Sequence, residues 1–410
     1  MRRSLRAIVA APAVAAVAFG SLLAAPVAHA ADNTITVWVD QKRIDNYREA
    51  LGSSYAGYKI VLVPRDFGKI RDDLATVSAD NAPDVISGAH DWTGQLAANG
   101  LIAKLNVPAA TIKALAPYAV AGFRYGGGIY GIPTQIENVA MITNANLVPT
   151  QPKTFAELST KALALKKAGK VTVPFAVPQG TNGDAYHMYP LFSGLGGYVF
   201  GTNPSGSVNV NNVGLYNKTF AANAGLIDQW NKTGLINSKV DYGIAKTAFT
   251  TGKAPFWITG PWELDAIKAL PFKYRVTTVP PIVNGLKTVP FLGAQGMMVT
   301  KYAAEHGVQV GANALVTQLM ATPSYQAKLA AADGRTPANL VAAKAVSDPV
   351  LKAFGAAGVG GIPMPNVPQM SSVWTSLGGA WVNSTKGAGA TPANKAFAQA
   401  QAQVKKAIAG

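Results

Sequence analysis

Two tryptophans follow proline-containing approaches that predict shaped loops. Trp262 comes directly after Gly260-Pro261, and Trp374 comes shortly after the segment 364–369, which contains two prolines. Proline lacks an amide hydrogen and biases the preceding residue toward extended conformations, so neither approach fits a helix interior or a central strand. An aromatic ring held on such a loop can stack on the C–H face of a sugar ring, because those hydrogens favour the negative face of the aromatic ring. We therefore expect both indoles to line a ligand groove.

Signatures of catalytic and metal chemistry are missing from the sequence. It contains no His-Glu-x-x-His, Gly-x-Ser-x-Gly or phosphate-loop pattern, and His90, His187 and His306 are too dispersed to predict a metal site. Glycines 126, 128 and 131 match a dinucleotide fingerprint literally, but Pro133 stands where the required helix should begin. We interpret these glycines as a turn, and we expect neither a metal nor a cofactor.

The elements that must position a ligand site follow an α/β pattern. Residues 35–39 and 59–64 predict strands with a helix between them, and residues 83–87 predict a third strand after a helix over 67–77. This alternation predicts a mainly parallel sheet covered on both faces. Ligands of such sheets lie beyond the carboxyl ends of the strands, where Asp40 and Asp91 are expected.

The pattern of predicted elements changes after residue 125. Residues 125–131 predict a hairpin, and residues 140–144 predict a strand of a second unit. Helices are expected over 154–168 and 217–232, and an Ala-rich helix over 392–409.

The first thirty residues predict an export signal. Arg2, Arg3 and Arg6 precede an apolar stretch from Ile8 to Val27, and Ala28-His29-Ala30 supplies small residues for cleavage after Ala30. The chain contains no cysteine, which excludes disulfides, thiolate metal sites and a lipid-modified cysteine anchor. No later window approaches the roughly 18 apolar residues of a spanning helix. We expect a soluble exported protein, either periplasmic or extracellular and associated with the cell wall.

The size of the chain limits its domain organisation, and its charge limits the kinds of partner it can have. Without the signal the chain still exceeds the ~250–300 residues at which single cores stop growing, so at least two domains are expected. The net charge is +16, but the basic residues are scattered, which argues against a nucleic-acid groove. The charge predicts either a solvated cationic surface or weak retention at an anionic cell wall.

Seven sequence blocks, in one order, resemble the maltose/maltodextrin-binding protein family. The blocks are residues 37–40, 83–91, 124–127, 152–155, 241–245, 260–262 and 364–374. The resemblance implies an α/β, two-lobed periplasmic-binding-protein fold of type II, with the ligand cleft between lobes joined by a hinge. It places lobe one at 31–138 and 294–343, and lobe two at 139–293 and 344–410.

The same resemblance implies a function without catalysis. The protein would be a monomer that captures an α-linked gluco-oligosaccharide of the maltose and maltodextrin class and delivers it to an ABC permease. The alternative is a secreted glycosidase that uses Asp91 and Glu137 as paired carboxylates. A cell-wall structural protein is a third possibility, but the chain has no repeats to support it.

The resemblance also implies a set of sugar-binding residues. They are Asp40, Lys42, Arg43, Asp91, Glu137, Asp184, Tyr186, Trp262 and Trp374. Trp38, Trp230 and Trp257 are expected in the core instead.

The chain departs from the family pattern around Asp91. Family members often have Trp-Ala-His-Asp-Arg where this chain has Gly88-Ala89-His90-Asp91-Trp92. Trp92 is therefore also predicted to bind sugar, as a replacement for the aromatic missing at Gly88. The alternative is that Trp92 packs beneath the loop.

Overall fold

A computed structural model describes residues 33–410. The predicted signal and its cleavage site lie outside the described residues. Among residues 33–410, no helix combines the length and apolar character needed to cross a bilayer.

The strands are short and are distributed along the whole described chain. They are β1 (Thr34–Asp40), β2 (Ser54–Tyr55), β3 (Tyr58–Arg65), β4 (Val85–Ala89), β5 (Arg124–Tyr125), β6 (Gly128–Ile129), β7 (Ile132–Asn138), β8 (Ala140–Asn144), β9 (Phe200–Thr202), β10 (Val208–Val213), β11 (Phe256–Thr259), β12 (Tyr274–Thr277), β13 (Phe291–Val299), β14 (Thr336–Pro337) and β15 (Ile362–Pro363).

The helices alternate with these strands. They are α1 (Ile44–Leu51), α2 (Ile70–Thr76), α3 (Thr93–Ala98), α4 (Ala109–Lys113), α5 (Pro117–Gly122), α6 (Phe155–Lys167), α7 (Ala185–Gly194), α8 (Lys218–Asn223), α9 (Gly225–Thr233), α10 (Tyr242–Thr250), α11 (Leu264–Lys268), α12 (Tyr302–Glu305), α13 (Gln309–Ala314), α14 (Pro323–Asp333), α15 (Leu340–Lys344), α16 (Pro349–Ala357), α17 (Met370–Thr385) and α18 (Ala393–Ala409). A π-helical turn, Leu315–Leu319, continues α13, and 3₁₀ turns include Gln41–Arg43, His90–Trp92 and Pro261–Glu263.

An eight-stranded sheet has the order β14-β7-β13-β4-β1-β3-β2, with β15 paired to β13. β1 runs parallel to β3 and β4, as the sequence predicts. The prediction of a mainly parallel sheet is wrong, because β13 lies antiparallel to both β4 and β7, and β14 and β2 also pair antiparallel with their neighbours. β13 enters this sheet after the chain has built a second sheet and returned, so its direction does not follow from the βαβ pattern. We call the part of the chain packed on this sheet the large-sheet region.

A three-stranded antiparallel sheet has the order β11-β8-β12. We call the part of the chain packed on it the small-sheet region. Asn138 ends β7 of the large sheet and Ala140 begins β8 of the small sheet, so the chain passes from one sheet to the other at Val139. It returns to the large sheet at β13.

Both sheets are covered on two faces. Successive residues of a strand point to opposite faces, so neighbouring residues enter different core clusters. In β1, Val37 belongs to one core cluster and Trp38 to another. In β11, Phe256 and Trp257 likewise enter different clusters. Trp38, Trp230 and Trp257 are all buried, which confirms their predicted place in the core.

Several predicted elements are confirmed with small shifts. Residues 124–129 form a hairpin in which Gly126 and Gly127 have positive φ, so the literal fingerprint is a turn. The helix predicted over 217–232 is two helices, α8 and α9, with Ala224 between them. The C-terminal helix is α18.

Candidate functional site

Trp262 is positioned by a glycine and a hydrogen-bonded chain. It lies in the 3₁₀ turn that follows β11, and a side-chain carbon on Gly260 would stand 2.1 Å from the indole ring, so only glycine fits there. The indole Nε1 donates to the Tyr242 hydroxyl at 2.7 Å, and that hydroxyl donates to Glu263. Lys246 lies 2.7 Å from the other oxygen of Glu263. These contacts fix the edge of the indole, which is half-buried.

Trp374 is the fifth residue of α17, which packs in the core of the small-sheet region. Its approach loop is tied to the large-sheet region. The Asn366 amide donates to the carbonyls of Gly122 at 2.8 Å and Arg124 at 2.6 Å. A ring nitrogen of His90 lies 3.0 Å from the carbonyl oxygen of Met364. The loop therefore brings a small-sheet aromatic against large-sheet groups.

Asp91 meets Trp374 directly. The indole Nε1 of Trp374 donates to Oδ2 of Asp91 at 2.9 Å, although the two residues lie in different regions. Burial raises the pKa of the Asp91 carboxyl, while neighbouring His90 and the Trp374 hydrogen bond act in the opposite direction. A buried carboxylate that accepts a directed N–H bond is suited to accept from hydroxyl groups as well.

Glu137 lies on β7 beside the charged pair Arg335 and Asp333. Its carboxylate accepts from Arg335 Nε and, at 3.1 Å, from Gln295 Nε2. Arg335 also donates to Asp333 at 2.8 Å, and its guanidinium carbon stands 5.5 Å from the centre of the Trp262 ring. Burial alone would lower the pKa of Arg335, but Asp333 and Glu137 raise it. Arg335 thus joins the carboxylate of the large-sheet region to the aromatic platform of the small-sheet region.

Three predicted residues lie at the carboxyl end of β1. Asp40 caps the following 3₁₀ turn by accepting from the Lys42 backbone amide at 3.0 Å, and Lys42 is exposed. The Arg43 side chain is buried, where it pairs with Asp333 and Gln135. Its observed contacts are those of a support for the Asp333–Arg335 pair, so its predicted direct contact with sugar remains a prediction.

Asp184 and Tyr186 stand at the start of α7. Asp184 caps this helix by accepting from the His187 backbone amide at 3.0 Å, and its other oxygen lies 2.7 Å from the His187 ring. Burial would raise the pKa of Asp184, but the contacts with His187 outweigh it and lower the pKa. The Tyr186 ring lies 6.2 Å from the Trp262 ring, and burial together with Glu137 raises the Tyr186 pKa well above its ordinary value.

Trp92 follows Asp91 in the 3₁₀ turn His90–Trp92, and its ring packs inside the large-sheet region. Only 8% of its surface is exposed, and it belongs to the core cluster around Trp38. Its ring lies 4.9 Å from the Phe67 ring, and a side-chain carbon on Gly88 would stand 2.6 Å from it. The indole fills the space that the missing side chain at Gly88 leaves, so its position favours the packing alternative.

Sequence reasoning missed Arg335, Asp333, Gln135 and Gln295. Asp333 ends α14, and Gly334 adopts a left-handed conformation (φ 71°) that turns the chain toward Arg335 and β14. The one available signal was the pattern Asp333-Gly334-Arg335, two opposite charges around a helix-ending glycine. Gln295 gave no signal, because an isolated glutamine within an apolar strand shows nothing of its partners.

Together these residues combine aromatic faces with charged hydrogen-bonding groups. Trp262 and Trp374 can stack on sugar rings, while Asp91, Glu137 and Arg335 can bind hydroxyl groups. Within residues 33–410, His, Asp and Glu do not form a group of three able to hold a metal ion.

Comparisons with known proteins agree with this arrangement. The chain is 30% identical to the maltodextrin-binding protein MdxE of Bacillus subtilis (strain 168) over 318 residues, which cover 72% of this chain and 71% of that protein. It is 29% identical over 357 residues to a maltooligosaccharide ABC transporter solute-binding lipoprotein of Streptococcus pneumoniae (strain ATCC BAA-255 / R6), covering 83% and 81% of the two chains. A galactooligosaccharide-binding protein of Bacillus subtilis (strain 168) is 25% identical over 360 residues, covering 83% and 82%.

The family model described as bacterial extracellular solute-binding protein matches residues 42–354, which include β2 to β14. Members of this family have the two-lobed, type II periplasmic-binding fold, and the two sheets described above fit that class. The chain belongs to the bacterial extracellular solute-binding protein family.

Proposed function

We propose that this protein is exported, binds α-gluco-oligosaccharides of the maltose and maltodextrin class as a monomer, and delivers them to an ABC permease. The names of two relatives that cover more than two thirds of the chain support this ligand class. The two lobes would comprise residues 31–138 with 294–343, and 139–293 with 344–410.

The observation that carries the proposal is the meeting of two complementary sets of side chains. Trp262 and Trp374 belong to the small-sheet region, and Asp91 and Glu137 to the large-sheet region. A pyranose needs both sets, because its C–H face favours an aromatic ring and its buried hydroxyl groups need polar partners. A sugar held by both sets links the two regions.

Such a link gives the ligand its effect on conformation. A ligand favours the closed state only by as much as its affinity for that state exceeds its affinity for the open state. Closure of two lobes around a ligand is characteristic of periplasmic binding proteins. Here the regions would move about three crossings of the chain: the passage at Val139, the return at β13 and the second passage near residues 343–344.

The contacts that Asp91 and Glu137 make suit sugar binding better than glycosidic cleavage. A glycosidase needs one carboxyl group free to protonate the leaving oxygen and another that acts as base or nucleophile. Glu137 is ion-paired to Arg335, and Asp91 accepts from Trp374. Both oxygens of Glu137 thus already accept from Arg335 and Gln295, which leaves Glu137 ill suited to act as a free acid or nucleophile.

The proposal is tested by calorimetric titration with maltose, maltotriose, longer dextrins, cyclodextrins, trehalose and a galacto-oligosaccharide. We expect saturable binding of one maltodextrin per protein, and chromatography should recover the sugar unchanged. Binding confined to the galacto-oligosaccharide would move the ligand class toward that of the third relative. Turnover of maltodextrin that is abolished by Glu137→Gln would establish the glycosidase instead.

A further inference from the structure

The buried side-chain amide of Gln295 lies beside Glu137, and one of its polar atoms makes no hydrogen bond to the described residues. Gln295 is 5% exposed, and its Nε2 donates to Oε1 of Glu137 at 3.1 Å. A carboxylate only accepts hydrogen bonds, so this contact fixes which end of the amide faces Glu137. The amide oxygen Oε1 of Gln295 therefore points elsewhere, and it has no hydrogen-bond partner among residues 33–410.

A second buried polar atom without a partner among the described residues is the hydroxyl of Tyr186. It comes from the small-sheet region and reaches the same place. A side-chain carbon built on Gly293 would stand 3.2 Å from this hydroxyl and 3.3 Å from Oε1 of Glu137. Gly293 is paired with Glu137 across the sheet, so the hydroxyl and the carboxylate border one space above a glycine.

Leaving these two buried polar atoms without hydrogen bonds costs free energy, and a ligand that bonds to them removes that cost. A buried acceptor or donor left without a partner costs about 1–3 kcal/mol. An acceptor such as Gln295 Oε1 is satisfied by a hydroxyl group, but not by a C–H group or an ether oxygen. The neighbouring Tyr186 hydroxyl can then donate to, or accept from, the same sugar.

We propose that Gln295 is a specificity-determining residue that accepts a hydrogen bond from one hydroxyl group of the bound sugar, in a subsite shared with Tyr186 and Glu137. This inference rests on the proposed function and deepens it. A side chain at residue 293 would crowd Glu137 and the Tyr186 hydroxyl, so glycine keeps both polar groups accessible from this side. A site built to bind a hydroxyl group rejects the analogue that lacks it much more strongly than an apolar pocket rejects a change of size.

The test is a thermodynamic cycle that combines a substitution in the protein with a deoxygenation of the sugar. Maltotriose and its singly deoxygenated analogues are titrated into wild type and Gln295→Met, a variant of similar shape that has no amide. One deoxygenation should weaken binding to wild type by roughly 5- to 150-fold, the range for leaving a buried acceptor unpaired. The same deoxygenation should cost almost nothing further in Gln295→Met, while every other deoxygenation should cost the same in both proteins.

The matched control is Gln151→Met. The Gln151 amide donates to Thr277 at 3.2 Å and accepts from Arg275 at 3.1 Å at the edge of the small sheet, so its loss should leave the whole deoxygenation profile unchanged. The inference is overturned if all deoxygenations cost the same in wild type and Gln295→Met. If wild type binds no maltodextrin at all, the proposed function fails instead.

A second variant covers the case in which Gln295→Met does not fold. Gly293→Ala places a methyl group in the same space, 3.0 Å from Cγ of Glu137. It should weaken maltotriose while sparing the analogue that lacks the contacted hydroxyl, so the preference for the parent sugar falls. An unchanged preference in Gly293→Ala overturns the assignment of this space to a hydroxyl group.

Discussion

Trp92→Ala should destabilise the protein without a specific loss of sugar affinity. The indole is 8% exposed and stands 4.9 Å from the Phe67 ring, so truncation removes a buried aromatic. Such truncations cost about 3–5 kcal/mol. Since the entropy of unfolding is roughly 2.1 cal/mol/K per residue, each kcal/mol shifts the melting temperature of a chain of about 380 residues by roughly 1.3 °C, and we expect a fall of roughly 4–6 °C. Thermal unfolding without ligand and calorimetry with maltotriose measure the two effects separately.

Gly88 provides a matched partner for this experiment. A methyl group on Gly88 would stand 2.6 Å from the Trp92 ring and 2.9 Å from the end of the flexible Met298 side chain. Gly88→Ala should therefore destabilise wild type, and should cost much less in the Trp92→Ala protein, where the ring is gone. Contacting residues give such non-additive effects, whereas independent residues give additive ones. A Trp92→Ala protein that melts like wild type but binds sugar weakly would refute the packing argument and restore Trp92 as a sugar platform.

Three further changes probe the site and the fold. Glu137→Gln removes the charge that pairs with Arg335, so calorimetry should show maltotriose binding weakened by roughly 1.5–3 kcal/mol, and unchanged affinity would remove Glu137 from the site. Trp374→Ala should weaken maltotriose more than maltose if the indole lines an outer subsite, and it should reduce the fluorescence change caused by sugar; equal losses for both sugars contradict that placement. Burial would lower the pKa of His306, but its contacts with Asp84 and a backbone carbonyl raise it above 6.5. Its stabilisation should therefore be complete below pH 6.5 and be lost as the pH rises through the folded-state pKa, so the stability difference between wild type and His306→Gln should shrink from pH 5.5 to 8.5; a difference that grows would contradict the sign.

Local periodicity was sufficient to predict the first three long strands and the α/β class. β1, β3 and β4 each form a short apolar run, and their parallel pairing follows from the helices between them. The antiparallel placement of β13 could not be predicted in this way, because its partners β4 and β7 lie far away in sequence. The resemblance to a known family supplied the two-lobed arrangement that periodicity does not contain.

The site was predictable where loop chemistry marks a residue. The Gly-Pro approach to Trp262 and the proline-containing approach to Trp374 predicted that both indoles line a groove, and both indoles do contact polar groups of the other region. Arg335 and Gln295 were missed because their roles arise from partners on β7 that are more than 150 residues away. The sequence left two alternatives for Trp92 because a loop position alone does not reveal that Gly88 leaves a space for its ring, and its role in sugar binding stays a prediction.

Amide hydrogen exchange with and without saturating maltotriose tests most directly whether one sugar contacts both regions. The account predicts that the sugar slows exchange in two places at once. One is the large-sheet segments around Asp91 and Glu137, and the other is the small-sheet segments around Trp262 and the start of α17. Slowing confined to the segments of one region, or no slowing anywhere, would contradict the claim that the ligand binds between the two sheets.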